Sequence, residues 1–338
     1  MALQNGAGVC KLKATGIREL EATGTRTLKA TEIRKLSSMR KIAILATIIL
    51  FSIVSFSCSN SNKHAPIPVL IVTDFGKDID DALAIAYSAH SKELDAVMII
   101  HNSNPSEEAS DKLAQFLKIN HIDAPLITVK SYDETDMTAE ETELIYSLFK
   151  KYGNRLNIAI LSQPTVITNL LYSDHLYGNH LNSSDISGLN IFIQAYPAIS
   201  KGGNLLADDA SYNTRLDMAS TQKLYDLGNK IVFTFVGKYA AYEHRLTAED
   251  ILALTPDREV NNILAEEARK GVEEFAHRDS ATYYRVYDID SSIPLEEALS
   301  QQKYLSNPYD LLTIKAIDNP EFFKFRTIGR HRVTGDIR

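Results

Sequence analysis

The sequence has the length and composition of a globular protein. Its 338 residues are 44% hydrophobic and 23% charged, which excludes disordered and fibrous classes and allows one large domain or two small ones. Residues 58–338 hold 27 Lys or Arg against 40 Asp or Glu, a net charge of −13. Nucleic acid is therefore not an expected partner, because phosphate neutralisation requires basic clusters.

The N-terminal segment has the features of an export signal. Arg40 and Lys41 precede an apolar stretch of roughly 16 residues, which is short for a membrane span of about 20. Cys58 follows, and apart from Cys10 it is the only cysteine of the chain, so no disulfide framework or zinc–thiolate site is expected. Residues 39–58 resemble a bacterial lipoprotein signal whose Cys58 is lipidated, with an uncleaved anchor as the alternative. Both predict a domain in the bacterial cell envelope, outside the cytoplasm and tethered to a membrane.

The segment before this signal, residues 1–38, is not expected to contribute to the fold. It contains the eight-residue repeats KATGIREL, EATGTRTL and KATEIRKL, which are shorter than solenoid units of about 20 residues or more. Met39 is a natural start for the signal. We interpret residues 1–38 as upstream sequence translated from a misplaced start codon, or alternatively as a basic, marginal helix.

After a linker at residues 59–68, apolar runs alternate with segments of helical periodicity. The runs predict six buried strands: VLIVT (Val69–Thr73), AVMII (Ala96–Ile100), PLITV (Pro125–Val129), NIAIL (Asn157–Leu161), LNIFI (Leu189–Ile193) and IVFTFV (Ile231–Val236). Five helices are predicted between them, at residues 80–89, 106–119, 139–151, 165–172 and 219–227. This alternation predicts an α/β domain over residues 69–338, with a mostly parallel, Rossmann-like sheet flanked by helices and a helical C-terminal part.

The stretch VTDFGKDIDDALAI crowds four acids behind the first predicted strand: Asp74, Asp78, Asp80 and Asp81. Ligands bind at the carboxyl ends of the strands in such sheets. Carboxylates this close repel one another, and a hard divalent ion surrounded by oxygens relieves the repulsion. Gly76 permits the tight turn between strand and helix. The alternative is that Asp80 caps the helix and the acidic turn is simply solvated. The spacing fits neither an EF-hand loop nor a P-loop.

Four segments resemble the nucleoside hydrolases of inosine-uridine preference. TDFGKDIDDALAI is similar to the variant D-x-G-x-D-I-D-D-A-L-A of the family's entrance motif. QPTVITNLL (Gln163–Leu171) is similar to G-P-L-T-N-L, SYNTRLD (Ser211–Asp217) to E-F-N-x-x-x-D, and NPYDLLTI (Asn307–Ile314) to H-D-P-L-A-V or W-D-P-L-A-V. The resemblance covers roughly residues 69–320 and implies a nucleoside-hydrolase-like fold.

The resemblance also implies a metal centre. A calcium ion would be held by Asp74, Asp81, Asp310 and a backbone carbonyl near Pro164. Calcium accepts many oxygen ligands, lowers the pKa of bound water and orients a vicinal diol. Asp74 would accept the proton of the attacking water as a general base.

The implied substrate is a ribonucleoside or a related N-ribosyl compound. Asp80 and Asn213 would each hold a ribose hydroxyl, and Asn102 or Asn104 would take the place of an asparagine that follows the family's second strand. Tyr309 either contacts the leaving base or is a core aromatic.

Three departures from the family's pattern affect the sugar pocket. Val72 replaces the first Asp, Ser211 replaces the Glu of E-F-N, and Gln194 with Ala195 replaces a Gly-Gly pair. We therefore keep two functional hypotheses. The first is a calcium-dependent hydrolase of the N-glycosidic bond, and the second is a catalytically weak or inactive nucleoside- or sugar-binding lipoprotein. Assembly into a homo-oligomer is left open.

Overall fold

The structure is a computed structural model that describes residues 65–102, 105–130, 137–172, 186–208 and 211–334. The extension 1–38, the signal 39–58 with Cys58, linker residues 59–64 and Asn104 lie outside the described residues. The chain from His64 to Arg338 forms one compact unit.

The centre of the fold is an eight-stranded sheet in the order β11-β12-β8-β5-β4-β1-β2-β3, and two small two-stranded sheets pair β9 with β10 and β6 with β7. All pairs of the large sheet are parallel except β11–β12. The strands are β1 (Ile67–Thr73), β2 (Leu94–His101), β3 (Leu126–Thr128), β4 (Asn157–Ile160), β5 (Asn190–Gln194), β6 (Ala198–Ile199), β7 (Leu205–Leu206), β8 (Val232–Val236), β9 (Leu246–Thr247), β10 (Tyr304–Ser306), β11 (Phe325–Ile328) and β12 (His331–Thr334).

Helices connect the parallel strands and dominate the C-terminal part. They are α1 (Asp80–His90), α2 (Glu107–Ile119), α3 (Ala139–Tyr152), α4 (Thr165–Tyr172), α5 (Tyr212–Leu216), α6 (Met218–Asp226), α7 (Lys238–Glu243), α8 (Ala248–Leu252), α9 (Arg258–Arg278), α10 (Ser280–Tyr287), α11 (Leu295–Ser300) and α12 (Tyr309–Asp318). None of the helices in the described ranges combines the length and apolarity that crossing a bilayer requires.

The predicted α/β class is confirmed, and all six predicted strands and five predicted helices are present with ends shifted by a few residues. The C-terminal hairpin of β11 and β12, which extends the sheet beyond β8, is not among the predicted strands. Gly329 turns this hairpin with φ +58°. Both strands are short and interspersed with basic residues, so they lack the apolar runs that revealed the central strands.

The core lies on both faces of the sheet because successive strand residues point to opposite sides. In β1, Leu70 and Val72 join one cluster of buried residues, and Val69 and Ile71 join the other. All four are completely buried. This two-sided burial explains why β1 is apolar at consecutive positions.

Helices α1 and α12 pack side by side and in parallel. At their C-terminal ends, the Tyr87 hydroxyl donates to the Asp318 carboxylate, and the Ser91 hydroxyl donates to the same carboxylate at 2.9 Å. At their N-terminal ends, Asp80 of α1 and Asp310 of α12 are in contact. The packing thereby brings Asp310, which lies far from β1 in the chain, to the loop that follows β1.

Candidate functional site

A cavity of about 930 Å³ opens at the carboxyl ends of β1 and β4, where Asp74 and Leu161 directly follow the strands. The connections from β1 and β4 run to opposite sides of this point, since β2 lies beside β1 and β5 lies beside β4. The point where the connections diverge in this way is where ligands usually bind in open α/β sheets. The cavity is lined by five aspartates: Asp74, Asp78, Asp80, Asp81 and Asp310.

The loop after β1 is held in place by buried polar side chains. Gly76 has φ +98°, a conformation that L side chains rarely adopt. A ring nitrogen of the buried His101 lies 3.0 Å from the Phe75 carbonyl oxygen. The Thr73 hydroxyl donates to the Asp81 carboxylate and accepts from the Phe75 amide at 3.2 Å. His101 does not line the cavity, so its contribution is to fix the loop that carries the acids.

The acids converge tightly. Carboxylate oxygens of Asp78, Asp80 and Asp81 all lie within 4.8 Å of one another, and Asp310 contacts Asp80. Helix α1 begins at Asp80 itself, and the residue at its N-cap, Ile79, supplies no side-chain hydrogen bond. The alternative in which Asp80 caps the helix is therefore wrong, and its buried carboxylate faces the other acids instead.

Burial and mutual repulsion make this cluster costly to ionise. Burial is the largest cause that raises the pKa of Asp80, Asp81 and Asp310 well above 3.8, and neighbouring aspartates raise it further. A set of hard carboxylate oxygens that repel one another is the donor set that suits a divalent cation such as Ca²⁺. The positive ends of the α1 and α12 dipoles also face the cluster and favour its negative charge.

Asp74 is the member of the group with a basic partner. Its carboxylate lies 2.8 Å from the Lys77 ammonium. Burial raises the pKa of Asp74, and the hydrogen bond and the charge of Lys77 oppose that rise without cancelling it. Asp74 therefore combines a raised pKa with a position on the cavity surface, which are two properties of a general base.

The other residues singled out from the sequence take different positions. Asn213 lines the cavity, and its amide donates to the Leu161 carbonyl at 3.0 Å. Tyr309 also lines the cavity and meets Tyr242 edge-on, with ring centroids 6.2 Å apart. Burial raises the pKa of the Tyr309 phenol, which keeps it neutral.

Asn102 and Pro164 are not among the residues that line the cavity. The buried Asn102 amide donates to the Ser162 hydroxyl at 3.2 Å and to the Gln163 carbonyl at 3.1 Å. The Pro164 carbonyl accepts from the Thr168 amide at 2.9 Å as α4 begins. Asn102 thus holds the turn after β4 in place, close to the carbonyls of that turn.

The cavity lining also includes residues that were not named as ligands of the metal or of the substrate. The Ser211 hydroxyl donates to the Gln194 carbonyl at 3.1 Å, and both residues line the cavity. Tyr212 and Tyr242 add aromatic surface, and Tyr212 is 58% exposed. The lining also contains five basic residues: Lys77, Arg215, Lys238, Arg278 and Arg285. Lys238, Tyr242, Arg278 and Arg285 belong to none of the motifs noted in the sequence, so only the fold brings them to the cavity.

The sequence matches no protein-family model and no curated protein. Solved structures share the fold. The type III effector protein XopQ complexed with adenosine diphosphate ribose has a TM-score of 0.64 and 16% identity, covering 81% of this chain and 89% of that chain. A plant nucleoside hydrolase has a TM-score of 0.53 and 17% identity, covering 80% and 88%. The purine-preferring ribonucleoside hydrolase from Gardnerella vaginalis has a TM-score of 0.51 and 14% identity, covering 79% and 88%. The chain therefore has a nucleoside-hydrolase-like α/β fold.

Proposed function

We propose that this protein is a calcium-dependent hydrolase that cleaves the N-glycosidic bond of ribonucleosides or of a related N-ribosyl compound. The observation that carries the proposal is the meeting of Asp310 with the acids of the β1–α1 loop in one cavity at the carboxyl ends of the strands. The fold shared with nucleoside hydrolases supports the same reaction class.

The aspartates fit a calcium centre. Ca²⁺ takes about 6–8 oxygen ligands, and buried carboxylates with raised pKa values need a positive charge to remain ionised. Asp74, Asp81 and Asp310 would hold the ion. A backbone carbonyl of the turn near Pro164 would be a further ligand. Asp78 and Asp80 add negative charge beside them. A bound calcium ion would lower the pKa of a water molecule and orient two neighbouring hydroxyls of the sugar.

Asp74 acts as the general base. Its carboxylate takes a proton from a water molecule as the water oxygen forms a bond to the anomeric carbon. The bond between that carbon and the nucleobase nitrogen breaks, the nitrogen keeps the electron pair, and the leaving nucleobase takes up a proton from the solvent. The transition state resembles an oxocarbenium ion, so the surrounding carboxylates stabilise its positive charge. Lys77 steadies Asp74 through the 2.8 Å ion pair.

The remaining polar and aromatic residues bind the substrate. Asp80 and Asn213 hold sugar hydroxyls, and Tyr309, Tyr242 and Tyr212 provide aromatic surface for the base. All five line the cavity. The cavity is therefore chemically divided, with carboxylates for the sugar and rings for the base.

A second candidate function is binding without turnover. Ser211 replaces the carboxylate that the family's pattern places at this position, and its hydroxyl is engaged with the Gln194 carbonyl. One structure of similar fold, XopQ, is complexed with adenosine diphosphate ribose. A weak or inactive member of this fold would bind a nucleoside, a sugar or adenosine diphosphate ribose in the same cavity.

The two functions are separated by assaying the release of free base and ribose. The chain from residue 59 onward retains the whole compact unit and is tested on a broad ribonucleoside panel with Ca²⁺ or with a chelator. We expect turnover only with Ca²⁺, and a loss of about 100-fold or more in Asp74→Asn. The matched control is Asp111→Asn, at an exposed position of α2 outside the cavity. Binding without any calcium-dependent turnover would exclude the hydrolase and support the binder.

We also propose that Cys58 carries a lipid anchor that tethers the mature protein to a membrane of the bacterial cell envelope. The support is the order of basic residues, apolar stretch and cysteine in residues 39–58. Incorporation of labelled fatty acid into the full chain tests this, with Cys58→Ala expected to abolish labelling and Cys10→Ala expected to leave it unchanged.

A further inference from the structure

The lining of the cavity contains basic residues as well as aspartates. Lys238, Arg278 and Arg285 line it, and we call these three residues the basic rim. Lys238 begins α7, directly after β8 and Gly237, whereas Arg278 ends α9 and Arg285 lies in α10. Three separate helices thus each contribute one basic side chain to the cavity lining, although residues 58–338 carry a net charge of −13.

No carboxylate in the described ranges lies within 4.0 Å of a basic-rim nitrogen. Elsewhere on the surface, Lys112 and Lys270 pair with glutamates on their own helices at 2.8 Å and 2.9 Å. The basic rim therefore holds positive charge without an ion pair to offset it, next to a cavity large enough for a ligand.

Asp279, between α9 and α10, is an acid that interacts with the basic rim without forming an ion pair with it. Hydrogen bonds from Thr282 lower the pKa of Asp279, and the charges of Arg285 and Arg278 lower it further. Its carboxylate accepts from the Thr282 amide at 3.0 Å and caps α10. Within the described ranges, the acidic cluster forms its ion pair between Asp74 and Lys77 at 2.8 Å, and none of its aspartates pairs with the basic rim. The basic rim and the aspartates are therefore two charge sets that line one cavity without pairing with each other.

We propose that the ligand of this cavity carries a phosphate, and that the basic rim binds it while the aspartates hold the ribose. The inference rests on the proposed function for the position of the sugar. Because the 2′- and 3′-hydroxyls face the aspartates in that function, the phosphate that reaches the basic rim is the one on the 5′ position. The ligand class is therefore the 5′-phosphorylated N-ribosides, and unphosphorylated nucleosides are poorer ligands.

The chemistry and the size of the site suit such a ligand. Guanidinium groups such as those of Arg278 and Arg285 match the oxygens of a phosphate with paired N–H donors, and Lys238 adds a point charge. The cavity of about 930 Å³ lies near the upper end of the range for ligand pockets, about 300–1,000 Å³. It has room for a base, a ribose and a phosphate together.

Ribose and ribose 5-phosphate test the inference, because neither contains an N-glycosidic bond and their binding does not depend on turnover. Calorimetric titration of the calcium-loaded chain from residue 59 is expected to show that ribose 5-phosphate binds about 10-fold or more tightly than ribose. The double variant Arg278→Gln/Arg285→Gln is expected to lose this preference and to keep its affinity for ribose. Both positions are exposed, so folding should be retained. Arg269→Gln, an exposed position of α9 outside the cavity, is the matched control.

A second measurement compares adenosine with adenosine 5′-monophosphate as substrates. We expect the monophosphate to have the lower KM, and Lys238→Gln to raise that KM without a matching change for adenosine. Equal binding of ribose and ribose 5-phosphate, absence of binding by both, or a preference that survives in the double variant would overturn the phosphate inference. A preference that depends on the basic rim, in a protein that cleaves neither substrate, would overturn the proposed hydrolysis alone.

Discussion

The carboxyl groups of Asp310 and Asp80 lie in contact at the adjacent N-terminal ends of α12 and α1. Two carboxyl groups can share a hydrogen bond only when one is protonated, whereas a bound cation allows both to be ionised. The far ends of the same helices are joined through Asp318, which accepts from Tyr87 and Ser91. The pair is thus held together by packing even when it is electrostatically unfavourable.

Replacing Asp310 with Asn is expected to have opposite effects with and without calcium. An amide can donate to Asp80 without adding charge, so the metal-free variant should be more stable than the unaltered protein by about 1 kcal/mol or more. The increase in melting temperature on adding Ca²⁺ should be largely lost, because a ligand is missing. Thermal unfolding with and without Ca²⁺ measures both effects.

The control for this prediction lies at the other end of the same helix. Asp318→Asn weakens the contacts to Tyr87 and Ser91, so it should lower the melting temperature in both conditions and retain the response to Ca²⁺. If Asp310→Asn retained the full calcium response, Asp310 would not be a ligand of the ion.

Without a divalent ion, the protein is expected to lose stability as the pH rises from about 4 towards neutrality. The folded-state pKa values of Asp80, Asp81 and Asp310 are raised, chiefly by burial. Groups of this kind bind more protons in the folded state, so their contribution is complete below the unfolded pKa and is lost as pH passes through the folded pKa. Calcium should suppress the loss. Melting temperatures of metal-stripped and calcium-loaded protein over this interval provide the test, and a flat profile for the stripped protein would contradict it.

Thr73 is expected to be a positioning residue for Asp81. Its buried hydroxyl donates to that carboxylate and accepts from the Phe75 amide. Thr73→Val keeps the shape and removes the hydroxyl, which should destabilise the protein by about 1–3 kcal/mol and weaken calcium binding. Thr73→Ser retains the hydroxyl and should preserve calcium affinity. Denaturant unfolding and calcium titration measure the two effects, and equal calcium affinity in the valine and serine variants would rule out this role.

Gly76 is required by the backbone of the acidic loop. Its φ of +98° is strained for any residue with a Cβ, although the nearest atom that a Cβ would meet, in Ala109, lies at an acceptable 3.4 Å. Gly76→Ala should therefore cost about 1–3 kcal/mol and reduce calcium affinity. Gly271, within α9, has an open surrounding, so Gly271→Ala should stabilise by about 0.5–1 kcal/mol. Denaturant unfolding compares the two variants, and a neutral Gly76→Ala would show that the loop can adopt another conformation.

The elements that one local sequence pattern specifies are the elements that the sequence predicts best. Residues 69–73 are apolar at consecutive positions because β1 is buried on both faces, and Asp74 must lie at the carboxyl end of that strand. The hairpin of β11 and β12 has no such pattern, because its two strands are short and contain basic residues. The sequence therefore does not predict it. Asp78 was noticed in the acidic stretch, but its closeness to Asp80 and Asp81 depends on the turn at Gly76.

The sequence by itself determined the α/β alternation, the acidic loop behind the first strand and the turn glycine within it, because these depend on neighbouring residues and on strand and helix periodicity. The family resemblance implied that Asp310 joins Asp74 and Asp81, but only the tertiary structure decided that α12 lies parallel to α1 and so places Asp310 against Asp80. It also decided that Lys238, Arg278 and Arg285 share one opening. Contacts of this kind arise from the packing of elements far apart in the chain, and that packing depends on the shapes of whole buried faces rather than on any local spacing.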